Sequence, residues 1–170
     1  QTPDPNGSYS MSAQGSAMLE IGQPAPDFTL QRDGGGDVTL SAERPTAIVL
    51  YFYPKDDTSG CTREAIEFSE YLSAFDEAGA KIYGISRDTV TKHEKFISKY
   101  ELKVGLLADL EGTVCEAYGT WVDKQMYGKS YKGIERSTFL IDGTGTIRQI
   151  WRKVKVPDHA EQVLEAVKAL

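Results

Sequence analysis

The run Ala47–Tyr53, AIVLYFY, is apolar at every position and is cut off by Pro54. It reads as a buried strand. Pro54 has no N–H and a fixed φ, so it ends the strand and sets how the chain leaves it. A polar loop, Lys55 to Gly60, follows. From Cys61 onward apolar residues fall at Ala65, Phe68, Leu72 and Phe75, which is helical spacing. A strand, a tight loop and a helix therefore place Cys61 in the first turn of a helix. Unpaired backbone N–H groups and the positive end of the helix dipole meet there. Both favour a thiolate over a thiol, and the thiolate is the nucleophile. Thr58, three residues earlier, can cap the helix or face a substrate. Gly60 lets backbone come close to whatever Cys61 attacks.

Elsewhere the pattern alternates. Phe28–Leu30 and Val38–Leu40 flank a Gly34–Gly36 break and read as a hairpin. Its glycines lack the strand-loop-helix setting of a phosphate loop. Strands are expected at 80–86, 104–108, 137–141 and 146–153, and helices at 89–100 and 110–118. A last helix starts at Pro157, with Ala160, Val163, Leu164 and Val167 as its apolar stripe. Residues 119–135 read as an irregular loop or a hairpin. Strand-helix alternation gives a parallel portion, and the late hairpin adds an antiparallel edge. The order fits an α/β, thioredoxin-like fold: a mixed central sheet flanked by helices.

At 170 residues the chain fits one domain. A net charge of −6 argues against nucleic acid as a main partner. No run approaches the ~18 apolar residues of a membrane span. Residues 1–17 are polar and rich in Gly, Ser and Pro, without the apolar core of a signal peptide. They read as a tag remnant or disordered tail before a domain at 18–170, with the natural start at Met11 or Met18 and a cytoplasmic setting. Two cysteines make no disulfide framework, and no Cys/His grouping has metal-ligand spacing. No cofactor is expected. His93 and His159 lie on helices among polar neighbours and are expected in solvated or edge positions. A Cys–His hydrolase would need one of them beside Cys61.

The spacing Pro54-x-x-x-Thr58-x-x-Cys61 resembles the active-site loop of the peroxiredoxins. The longer string YFYPKDDTSGCTREAIEF is similar to the bacterioferritin-comigratory-protein, or PrxQ, branch. A second segment, MYGKSYKGIERSTFLID at 126–142, supports the likeness. The resemblance runs from about Glu20 to the end of the chain. One departure is Ser59, where that branch often has proline.

The resemblance implies a peroxidase that reduces hydrogen peroxide and organic hydroperoxides through a Cys61 sulfenic acid. It implies that Arg136 points at Cys61 and stabilises charge along the O–O bond. The alternative for Arg136 is a surface ion pair. Thr58 would position the peroxide oxygens and Pro54 would shield the sulfur. Glu64 either holds an arginine in place or is a helix-start carboxylate favoured by the dipole. Ile66 and Ile97 stand where many relatives carry a resolving cysteine, so only Cys115 remains. Its apolar setting reads as a small core residue, and a bond to Cys61 would need both helices to open. The expectation is a one-cysteine enzyme, monomeric, recycled by thioredoxin or a glutathione/glutaredoxin-type thiol. Two other readings stand beside it: a redox sensor relaying Cys61 oxidation to a partner protein, and a binding module with an inert cysteine.

Overall fold

The computed structural model describes residues 18–170. The expected tag remnant or tail at 1–17, with Met11, lies outside the described residues. The elements run β1 (Thr29–Arg32), β2 (Asp37–Thr39), a 3-10 turn (Leu40–Glu43), β3 (Ala47–Phe52), α1 (Ser59–Glu70), α2 (Leu72–Glu77) and β4 (Ala80–Ser86). After these come α3 (Val90–Tyr100), β5 (Gly105–Ala108), α4 (Thr113–Ala117), β6 (Trp121–Met126), β7 (Lys129–Ile134), β8 (Ser137–Ile141), β9 (Ile147–Trp151) and α5 (His159–Lys168).

Seven strands form one sheet in the order β2-β1-β5-β4-β3-β8-β9. The β3–β4 and β4–β5 pairs are parallel, and the remaining pairs are antiparallel. This is the mixed sheet that the alternation predicts. All six residues of β3 are buried, because helices or loops cover both faces of a central strand. Its side chains alternate between two cores. Val49, Tyr51 and the following Tyr53 join Cys61, Phe68, Phe75, Phe96 and the α5 stripe. Ile48, Leu50 and Phe52 join Phe28, Val114, Cys115 and Tyr118 on the other face.

Two expected elements differ. The helix from Cys61 does not continue through Phe75: it breaks at Tyr71, which is not helical and caps α1 and α2 alike. The i→i−4 bonds continue across it, from Tyr71 N–H to Glu67 and from Phe75 N–H to Tyr71, and the Phe68 and Phe75 rings, 6.0 Å apart, share one core. The helix expected at 110–118 shrinks to α4, because the Asp109 carboxylate takes the N–H groups of Val114 and Cys115 from outside the helix. Residues 119–135 resolve as the β6–β7 hairpin, turning at Tyr127–Gly128 with φ of 54° and 78°. Positive φ at both turn positions matches the twist of a two-residue hairpin. Arg87 lies over the Trp121 ring at 4.6 Å and ties the base of this hairpin to the sheet.

Gly84 in β4 is required by packing. A Cβ there would fall 2.6 Å from Tyr51 Cζ and 2.8 Å from Leu106 Cδ2. Gly84→Ala should therefore destabilise the fold by about 1–3 kcal/mol through overpacking, read as a lower urea midpoint at unchanged slope.

Candidate active site

The site forms where β3 ends and β8 begins. Their antiparallel register sets Phe52 opposite Ser137. The loop after β3 and Arg136 just before β8 therefore emerge side by side. The loop closes on itself through the Thr58 hydroxyl, which donates to the Lys55 carbonyl at 2.9 Å. Thr58 holds the N-cap position of α1, but its side chain makes no cap bond. Its carbonyl accepts the N–H of Thr62 and opens the helix. Cys61 lies in the first turn, 2% exposed.

Arg136 bridges two groups. Its Nη1 donates to Glu64 Oε1 at 2.6 Å and its Nη2 to Cys61 Sγ at 3.3 Å. Glu64 is one turn beyond Cys61 on the same helix face, which lets one planar guanidinium reach both. Glu64 thus lies against the arginine as well as in the first turns of α1. The Glu64 side chain is buried at 2% exposed and Arg136 half-buried at 17%. Burial raises the Glu64 carboxyl above the usual carboxylate range, against the pull of Arg136. Burial alone would lower Arg136, but Glu64 and the Cys61 sulfur outweigh it and hold the guanidinium protonated. A fixed positive charge and the helix N-terminus both stabilise negative charge on the Cys61 sulfur.

Gly60 serves a different close approach from the expected one. A Cβ at Gly60 would sit 3.1 Å from Arg136 Nη2, so the glycine makes room for the arginine itself. Pro54 and Thr58 are exposed. Lys124 of the hairpin also faces the site. Burial and Arg136 hold its ammonium low, with Cys61 pulling the other way.

Cys115 is not brought to this site. It is wholly buried in the core on the opposite face of the sheet. Burial, and then the Asp109 carboxylate, push its thiol well up. Among the described residues, no group of His, Cys, Asp and Glu could hold a metal ion.

Both histidines correct the sequence reading, since neither is solvated. His159, 4% exposed, shares a 2.8 Å hydrogen bond with the Thr138 hydroxyl and packs edge-on against Phe68 and Trp151. His93 is fully buried against Asp56, at 2.7 Å. The sequence reading missed Asp56, Tyr53 and His93 as a group. A signal was present: His93 stands three residues before Phe96 and seven before Tyr100, on the helix stripe that meets the core.

The AhpC/TSA family matches residues 21–150. Peroxiredoxin Bcp of Bacillus subtilis is 49% identical over 150 residues, 88% of this chain and 96% of that protein. Peroxiredoxin Bcp of Xanthomonas campestris is 46% identical over 153 residues, 90% of this chain and 96% of that one. The crystal structure of a Xylella fastidiosa PrxQ mutant superposes with a TM-score of 0.85 at 41% identity, covering 91% of this chain and 98% of that one. A bacterioferritin comigratory protein of Xanthomonas campestris, solved in work on its alkyl peroxide reduction activity, gives 0.82 at 45% identity over 91% of this chain and 98% of its own.

Burial, and then the nearby Arg136 charge, lower His159 to about 4. An unfolded histidine titrates near ~6.5. A depressed folded value means that the unfolded chain binds the proton first. The His159 contribution is complete above pH ~6.5 and is lost as pH falls from there towards 4. Wild type should therefore lose urea stability more steeply across that window than His159→Gln, the difference approaching about 1.4 kcal/mol per pH unit.

Proposed function

The chain belongs to the AhpC/TSA family, in its peroxiredoxin Bcp/PrxQ branch, and is a thiol-dependent peroxidase; we propose that Cys61 is the sulfur that attacks the peroxide. The observation that carries this assignment is the Arg136 bridge, 3.3 Å from Cys61 Sγ and 2.6 Å from Glu64. A peroxidatic thiolate needs a fixed positive charge beside it and a donor aimed at the oxygen that leaves. Arg136 supplies both, and Glu64 fixes its plane.

The Cys61 thiolate attacks the near peroxide oxygen in line with the O–O bond. The S–O bond forms as the O–O bond breaks. The leaving hydroxide or alkoxide takes a proton and departs as water or alcohol, and Cys61 is left as sulfenic acid. Arg136 Nη2 stabilises charge moving from sulfur onto the oxygens. Thr58 and the N-terminal amides of α1 face the same space and orient the substrate. Pro54 limits water. Substrates are hydrogen peroxide and organic hydroperoxides, the second in keeping with the alkyl peroxide work on the Xanthomonas protein.

Two equivalents of an external thiol then reduce the sulfenic acid: the first forms a mixed disulfide and releases water, and the second restores Cys61. Thioredoxin or a glutathione/glutaredoxin-type donor fits this step. Cys115 does not, because the sheet stands between the two sulfurs. Among the described residues, no helix is long and apolar enough to cross a membrane.

Cys61→Ser should abolish peroxide consumption in an assay recycled by dithiothreitol or thioredoxin. Arg136→Ala should slow the peroxide step by about 10²–10³-fold with the fold intact. One equivalent of peroxide should leave a Cys61 sulfenic acid that dimedone traps for mass spectrometry. Cys115→Ser should give the same adduct and retain turnover, and an intrachain disulfide formed as fast as turnover would show that Cys115 resolves.

A further inference from the structure

The loop that presents Cys61 is held from behind by a buried cluster with no part in the chemistry above. His93 of α3 is 0% exposed. Its Nδ1 lies 2.7 Å from Asp56 Oδ2 and its Nε2 lies 2.9 Å from the Leu107 carbonyl oxygen. A carbonyl oxygen can only accept, so Nε2 carries a proton. The other carboxylate oxygen, Asp56 Oδ1, accepts the Tyr53 hydroxyl at 2.5 Å. That length is typical of a hydroxyl donating to an ionised carboxylate. Tyr53 stays a donor, since burial and then the Asp56 charge push its hydroxyl well up. With Asp56 ionised and accepting on both oxygens, Nδ1 must also donate. The hydrogen bonds thus fit an imidazolium paired with an ionised carboxylate inside the core.

Asp56 belongs to the active-site loop. It stands two residues before Thr58, and its own N–H donates to Asp88, whose carboxylate also takes the Ser86 hydroxyl. Asp57 beside it has φ of 61° and is held by Lys99 and Tyr100, also of α3. The loop is therefore clamped to α3 at Asp56 and at Asp57, the residue with the positive φ. Only the His93 clamp is buried, and only it joins a carboxylate to a ring that can gain or lose a proton. Among the described residues, the titratable groups facing the ring are Asp56 from the loop and Tyr53 just after β3, with Asp88 behind Asp56. Lys92, Glu94 and Lys95 of α3 point to solvent.

We propose that the Asp56–His93 ion pair is the positioning device of the Cys61 loop, which keeps its reactive geometry only while both ring nitrogens of His93 are protonated. His93 is a positioning residue, not a catalytic one. It acts through Asp56 on Thr58 and the first turn of α1. When the ring loses a proton, a bare nitrogen faces either the Asp56 carboxylate or the Leu107 carbonyl, and lone pair meets lone pair. The clamp opens and the loop drifts from its alignment with Arg136. Displacements near 1 Å cost on the order of 10² in rate. The peroxide step thereby gains an alkaline limit.

This inference rests on the peroxidase reading, and the test separates the two. In the full chain labelled with 15N at histidine, His93 should show two protonated ring nitrogens at neutral pH, and His159 a neutral ring. His159→Gln assigns the signals. The peroxide-step rate should fall on the alkaline side with a one-proton slope, as the same spectra show His93 losing its proton. His93→Gln, which does not titrate, should be about 10–100-fold slower and lack that limb. A His93 ring with one bare nitrogen at neutral pH overturns the proposal. So does a folded His93→Gln with the wild-type rate, or with the alkaline limb unchanged. Should His93→Gln not fold, the wild-type spectra and pH profile still decide. No peroxide consumption by wild type would instead strike the peroxidase reading, and the His93 spectrum would still report on the ion pair.

Discussion

Everything at the site depends on β3 being buried on both faces. An apolar strand in the middle of a sheet has no solvent side, so it separates two cores as well as filling them. The face with Tyr51 and Tyr53 meets α1, α3 and α5, and carries Cys61. The opposite face carries Cys115. Because the strand runs straight into the Pro54 loop, the place where it ends fixes where α1 begins. The β3–β8 register then sets Arg136 beside that point. The meeting of Arg136 with Cys61 is thus a by-product of strand pairing, and strand pairing tolerates little slippage where both faces are buried.

Two charged contacts flank the start of α1: Arg136–Glu64 beside Cys61 and, under the proposal above, an ion pair of His93 with Asp56 behind the loop. Buried ion pairs are weak sources of net stability, since desolvation offsets most of their attraction. Breaking one by removing a partner is costly, by about 3–5 kcal/mol. That asymmetry suits alignment more than cohesion. Cohesion comes from the aromatic and aliphatic stacks, such as Tyr51 on Phe68 at 4.8 Å. The charges determine where the loop sits and which way the guanidinium faces.

Much of this was legible in the sequence, for identifiable reasons. The Ala47–Tyr53 run, Pro54 and the helical spacing after Cys61 are local signals, and local signals specify the strand-loop-helix. The α5 stripe was legible for the same reason. Arg136 stands 75 residues from Cys61, and no local pattern joins them; only the resemblance did. The break at Tyr71 was not legible, because tyrosine sits comfortably in helices. His93 was misread because its neighbours Lys92 and Glu94 are charged, although its own position lies on the buried stripe. Thr58 looked like a capping residue and holds that position, yet its hydroxyl closes the loop instead, a competition open to any short hydroxyl side chain.

The burial of Cys115 behind the sheet has a consequence at the level of flux. Under the chemistry proposed above, no thiol within the chain can reach Cys61 once it is oxidised. The lifetime of the sulfenic acid then depends on the supply of reducing thiol outside. At low peroxide the sulfur cycles. When peroxide outpaces the thiol supply, a second oxidation carries Cys61 to sulfinic acid, from which ordinary thiols do not return it. Built this way, the protein behaves as a fuse: it carries current up to a ratio of oxidant to reductant and then opens the circuit.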